Sequence, residues 1–120
     1  MNTREIGLIQ EEIALNFLLN KGYTLVKKNF RLGRIGEIDI VMKDKHIFVF
    51  IEVKSRFNNK YGGSELAVSI GKRKQVRKVA EGFVQIMNLE NFEGRFDIVA
   101  IDYLDNISSK PSINHIVNAF

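Results

Sequence analysis

Alternation of apolar and polar positions is sharpest from Ile47 to Lys54. There Ile47, Val49, Ile51 and Val53 fall on one side, and Phe48, Phe50, Glu52 and Lys54 on the other, the period of a β-strand. Both sides are apolar at the start, which predicts a central strand covered on each face. Just upstream, Ile38, Ile40 and Met42 share one side and Glu37, Asp39 and Val41 the other, and the polar break Lys43-Asp44-Lys45-His46 predicts a short hairpin turn between the two strands. Tyr23–Lys28 reads as an opening strand and Ile113–Val117 as a closing one. Between them Phe96–Ile101 alternates Phe96, Ile98 and Ala100 against Asp97, Val99 and Ile101. Two stretches carry the helical period instead. The first runs from about Thr3 to Lys21, with Asn2 or Thr3 as N-cap and Gly22 as the stop. The second runs from about Ile70 to Leu89, with Val76, Val79, Ala80, Phe83 and Met87 as its apolar stripe. The order is helix, three strands, helix, two strands. It predicts an α/β protein with a mixed central sheet of about five strands flanked by helices. No linker-like glycine, serine or proline stretch divides it, so one domain over residues 1–120 is expected.

A register follows from the hairpin. Placing Met42 opposite Ile47 sets Asp39 opposite Phe50 and Glu37 opposite Glu52. Cross-strand partners share a face, so Asp39, Glu52 and Lys54 converge. Asp39 and Glu52 become diagonal neighbours with backbones about 7–8 Å apart, able to share one hard cation through oxygen ligands at about 2.0–2.6 Å. A slip of one residue would send Asp39 to the far face. Like charges on adjacent strands repel, so packing alone explains this arrangement poorly. The plainer alternative is an ion-paired sheet face on which Lys54 neutralises one acid. In the first helix Glu5, Glu12, Asn16 and Asn20 gather on one polar side. Glu11 lies instead in a row with Gly7, Ala14, Leu15 and Leu18, facing inward. A carboxylate on an apolar stripe needs a partner, either a metal or an arginine.

The 120 residues suffice for one core, and 45% hydrophobic with 27% charged residues is a globular composition. A formal net charge of +4 favours polyanionic partners, modestly. The chain has no cysteine, which excludes disulfides and suits a reducing cytosol, and the sequence shows neither a signal peptide nor a transmembrane run. A cytoplasmic protein with no membrane partner is expected. Lys72, Arg73, Lys74, Arg77 and Lys78 crowd the first half of the second helix. Cations there oppose the helix dipole by about 0.3–1 kcal/mol each, and a docked phosphate would reverse that penalty. A nucleic-acid backbone contact is therefore expected, against the alternative of a solvated lysine-rich face. The loops Arg31–Gly36, with Arg34, and Arg56–Gly63, with Lys60 and Tyr61, are basic and border the acidic strands. Either they follow a phosphate backbone, Tyr61 stacking on a base, or they are plain connections. His46 and His115 fall in unrelated contexts, so no zinc site is predicted, and His115 reads as a packed histidine.

Several motifs taken together are similar to one family. They are Gln10-Glu11-Glu12-Ile13-Ala14, Gly22-Tyr23, Gly36 to Val41, Phe50 to Arg56, Tyr61-Gly62, Lys74-Gln75, Arg95-Phe96-Asp97 and His115 to Phe120. The chain resembles the YraN-like family, small bacterial proteins similar to archaeal Holliday junction resolvases within the PD-(D/E)XK nuclease superfamily. The resemblance implies a restriction-endonuclease-like core and hydrolysis of phosphodiester bonds in structured DNA, dependent on Mg2+ or Mn2+. Branched DNA is suggested by the resolvases. It implies metal binding by Glu11, Asp39 and Glu52, and catalysis by Asp39, Glu52 and Lys54. Lys54 would orient or activate the attacking water and offset charge at the phosphate. Gln10 stands where the family usually has glycine, and Ile38 where the superfamily has proline. Expected nucleic-acid contacts are Arg34, Arg56, Lys72, Arg73, Lys74, Gln75 and Arg77, with DNA ahead of RNA, and a homodimer is expected by analogy. Two other classes stay open: a non-catalytic nucleic-acid-binding module on the same scaffold, and an interaction protein whose acidic face holds a structural cation.

Overall fold

A computed structural model describes residues 2–57, 68–103 and 110–120, in the order α1 (Thr3–Asn20), β1 (Thr24–Leu32), β2 (Gly36–Asp44), β3 (Ile47–Phe57), α2 (Ile70–Ile86), β4 (Gly94–Tyr103) and β5 (Ser112–Ile116). The expected roles of Lys60 and Tyr61 lie outside the described residues. Asn2 caps α1, its side chain accepting from the Glu5 N–H at 2.9 Å. Gly22 stops it at φ +97°, a conformation glycine adopts without steric cost. Ser69 caps α2 by accepting from the Lys72 N–H at 3.1 Å. No helix among the described residues is long and apolar enough to cross a membrane.

The five strands form one mixed sheet in sequence order, with β3 and β4 parallel and the other neighbours antiparallel. A parallel pair needs a crossover, and α2 lies within it. Beyond the start of β2, the faces divide as the alternation predicts. Ala14, Leu15 and Leu18 of α1 pack on Ile40, Met42, Val49, Ile51, Val99 and Ile101. On the other face Val76, Val79, Ala80 and Phe83 of α2 pack on Val41 and Phe50. β3 therefore feeds both halves of the core, as a central strand must.

Four expectations need correction. The β2–β3 pairing sets Met42 opposite Val49 and Asp44 opposite Ile47, two residues away from the expected register. Only Lys45 and His46 form the turn; Lys45 sits at φ 58°, and a two-residue hairpin favours such a conformation because its twist matches the strands. An even shift by itself turns no side chain to the other face. The Arg31–Gly36 loop also shrinks: Arg31 and Leu32 belong to β1, leaving Gly33–Ile35 as the turn. α2 ends at Ile86, and Met87 is exposed at its C-cap instead of extending the apolar stripe.

The fourth correction shapes the site. Ile38 is buried with the α2-side cluster, not with Ile40 and Met42. Its partner Phe30 lies on that side too, whereas Lys28, opposite Ile40, reaches Glu12 of α1. Both strands thus exchange faces between these pairs, where Asn29 takes a left-handed φ of 52° and Asp39 lies across from it. β2 pairs with β3 only as far as Ile40↔Ile51, while its pairing with β1 continues to Gly36. The β1–β2 hairpin twists away from the sheet at that point.

Candidate active site

Asp39 sits where β2 leaves β3, and it occupies the gap. Its Oδ2 accepts the Val53 N–H at 2.9 Å, so a side chain replaces the main-chain partner that β3 has lost. That bond fixes the carboxylate and uses one of its two oxygens. Glu52 and Lys54 follow on the same side of β3, Glu11 comes from α1, and Lys72 arrives from the first turn of α2 with its Nζ 3.8 Å from Glu52 Oε1. Asn29, its amide nitrogen turned towards the acids, donates to Glu37 Oε1 at 2.9 Å and to Glu11 Oε1 at 3.0 Å.

These acids feel one another. Burial pushes the Glu52 carboxyl up to about 7, helped by the charge of Asp39 and then Glu11, and opposed by Lys72 and Lys54. Asp39 is also raised, by burial first; the Val53 N–H and Lys72 act against the shift, and Glu37 adds to it. Glu11 is raised by burial and then by Asp39, with the Asn29 hydrogen bond opposing. All three shifts share a sign because burial and neighbouring negative charge both favour the neutral acid. The inward row of α1 is thus correct for Glu11, although its partner is the Asn29 amide and not an arginine. The donor set suits a hard divalent cation in type: carboxylate oxygens, one already oriented, carrying more negative charge than their lysines offset. Among the described residues, no group of three or more acidic or histidine side chains forms a ready-made metal cage.

The basic residues divide into separate environments. Arg34 is exposed at the β1–β2 turn, and Lys74 on α2 is exposed as well. Arg73 donates from Nε to the Val68 carbonyl at 2.8 Å. Gln75 donates to the Ile35 carbonyl at 2.7 Å and packs so closely on Gly36 that a Cβ there would lie 2.9 Å from its Cγ. It therefore ties α2 to the turn that precedes Asp39. Arg77 lies over the rings of Phe96 and Phe120, 5.5 and 6.0 Å from their centroids. Arg56 forks onto Asp102, its register partner on β4, with Nη2 2.7 Å from Oδ2.

A second ion network, not foreseen from sequence, lies near the start of β4. Asp97 is fully buried and accepts from Arg95 Nε at 3.1 Å, His115 Nε2 at 2.8 Å and the Asn118 N–H at 2.9 Å. These donors hold its carboxyl below the usual range against burial, the largest single influence on it. Arg95 continues to Tyr23 Oη at 2.7 Å and Asp44 at 3.3 Å. His115, wedged edge-on against Phe17 and Tyr23, is a packed residue as expected. The one hint in the sequence was an acid sharing a strand face with Val99 and Ile101.

A mixed sheet of five strands between two helices defines an α/β protein whose build is consistent with a restriction-endonuclease-like core. The chain belongs to the Uncharacterised protein family UPF0102, whose sequence model matches residues 10–101. It is similar to UPF0102 proteins of Clostridioides difficile strain 630, at 43% identity over all of both chains, and of Caldicellulosiruptor saccharolyticus, at 40% over all of both. A UPF0102 protein of Thermodesulfovibrio yellowstonii is 40% identical, covering 97% of this chain and 96% of the relative.

Proposed function

We propose that this chain is a metal-dependent endonuclease of the PD-(D/E)XK superfamily, hydrolysing phosphodiester bonds in structured DNA, with branched DNA the foremost substrate. The observation that carries the reading is the gathering of Glu11, Asp39 and Glu52 from three separate elements beside Lys54. They stay together although burial and mutual repulsion drive Glu52 to about 7. Perturbed acids that converge in this way mark functional sites more often than packing. Glu11, Asp39 and Glu52 would hold Mg2+ or Mn2+, which supplies charge to polarise a phosphoryl oxygen and to acidify water. Asp39, held by the Val53 N–H, is oriented before substrate arrives, which removes a reorganisation step. Lys54 presents positive charge where negative charge grows on the phosphate, and orients the attacking water. Lys72 balances Glu52 until a phosphate draws it away. Arg34 and Lys74, both exposed, would follow the DNA backbone outward. A homodimer would supply the two active sites that paired incisions require.

The test is a cleavage panel of single-stranded, duplex, flap and four-way junction DNA with Mg2+ or Mn2+. Asp39→Ala should abolish cutting while circular dichroism and DNA binding persist. Equal cutting by the wild type and Asp39→Ala would sink the assignment. A second reading, a non-catalytic nucleic-acid-binding module, draws on the lack of a ready-made three-acid cage among the described residues. It predicts tight binding with no cleavage of any substrate in the panel.

A further inference from the structure

We propose that the cleft between the first half of α1 and the β1–β2 hairpin takes one unpaired nucleotide of the bound strand, beside the scissile phosphate. The inference rests on the nuclease reading and extends it to a subsite and a substrate feature. The cleft has a volume of about 630 Å³ and includes Glu11 and Glu37 in its lining, so it opens directly onto the acidic cluster. Arg4 and Arg31 stand on its two sides, one from the helix and one from the hairpin, and both are exposed. Arg31 donates from Nε to the Gly33 carbonyl at 3.2 Å, which steadies its stem. A guanidinium matches phosphate in bidentate fashion.

Gly7 gives the second line of argument. It lies inside α1, where glycine is worse than alanine by about 0.5–1 kcal/mol. Packing does not require it: a Cβ at Gly7 would meet nothing within 4 Å, and its φ lies outside the left-handed range. Its missing side chain keeps the cleft open. Leu8, 49% exposed, adds an apolar wall. That wall suits a free base or sugar, whereas a duplex keeps its bases stacked inside. Asn29 holds Glu11 and Glu37, keeping this side of the cleft in place.

Fluorescence anisotropy with a labelled oligonucleotide that carries a single-stranded gap between duplex arms, measured in chelator, separates binding from catalysis. Gly7→Leu should weaken binding of the gapped probe by about tenfold or more and leave a fully paired duplex less affected, with a melting temperature at or above wild type. Gly7→Ala, whose single methyl group takes up less of the cleft, should weaken gapped binding by less than Gly7→Leu. If Gly7→Leu does not fold, the surface variant Arg4→Ala with Arg31→Ala decides. It should weaken gapped binding and reduce the slope of log affinity against log salt by about 2. Wild-type affinity for the gapped probe in the folded variants would overturn the subsite. If the variants match a wild type that binds and cuts DNA, the subsite alone falls. If the wild type binds none of the probes, the nuclease reading falls with it.

Discussion

Glu52 is the residue at which structure and chemistry meet most directly. Its carboxyl rises from the ordinary 4.5 to about 7. A raised carboxyl stabilises the fold fully below the ordinary value, and that contribution fades as pH climbs through 7. At about 1.4 kcal/mol per pH unit, the loss approaches about 3 kcal/mol. Asp97 is lowered and is already ionised above pH 5 in both states, so it does not offset this loss. Chelator-treated protein should therefore melt at a lower temperature at pH 8 than at pH 5, and Glu52→Gln should flatten the difference. Added Mn2+ should restore the melting temperature at pH 8 in the wild type, by mass action on the folded state, and much less in the variant. Identical pH profiles for the two proteins would refute the effect. Alternation along β3 made the shared side of Glu52 and Lys54 legible, and an error of two residues in the hairpin register does not by itself turn Asp39 away from them. The register itself was not legible: Lys43-Asp44-Lys45-His46 is polar throughout, and lysine does not announce a left-handed backbone. Asn29 was equally silent, since the exchange of faces there breaks the very period that locates strands.

At the level of the element, α2 does two things at once. Its apolar stripe seals one face of the sheet, while its first two turns deliver Lys72 to Glu52 and Gln75 to the β1–β2 turn. The sequence showed five basic residues crowded into the first half of the helix. The helix divides those residues among an ion pair, a main-chain carbonyl, an aromatic stack and solvent, which only the angular position of each side chain decides. If Lys72 and Lys74 contact DNA phosphates, Lys72→Ala with Lys74→Ala should weaken binding and lower the salt slope by about 2. Titrations at several salt concentrations read this directly, and an unchanged slope would remove the contact. Helix starts were legible because caps are written in side chains, as with Asn2. The end of α2 was not, because apolar residues continue beyond Ile86 to Met87 and Leu89.

Across the whole molecule, β2, β3 and β4 lie between neighbours, and β3 is packed on both faces, whereas β5 is a five-residue edge strand. Native-state hydrogen exchange should therefore find the slowest amides around Val49–Ile51 and Val99–Ile101. Protection should be weaker through Ser112–Ile116, which opens locally before the core. Equal protection of β5 and β3 would contradict this. The order of elements along the chain and the mixed sheet of about five strands were legible in the sequence, whereas the spatial order of the strands came from the structure. The parallel β3–β4 pair was not foreseen, although the helix between those strands permits it. Asp97 and its partners were the global feature sequence did not reveal, since Tyr23, Asp44, Arg95 and His115 meet only after folding.

The two charged centres of this sheet make opposite demands. Around Asp97 every acid has a donor, and the network holds the chain together; around Asp39 the acids outnumber their counterions. A laboratory selection for heat resistance alone, blind to any other property, should therefore neutralise Glu52 or Glu11 early and leave Asp97 untouched. The variants that emerged would be sturdier proteins that had given up the place where their charge was concentrated.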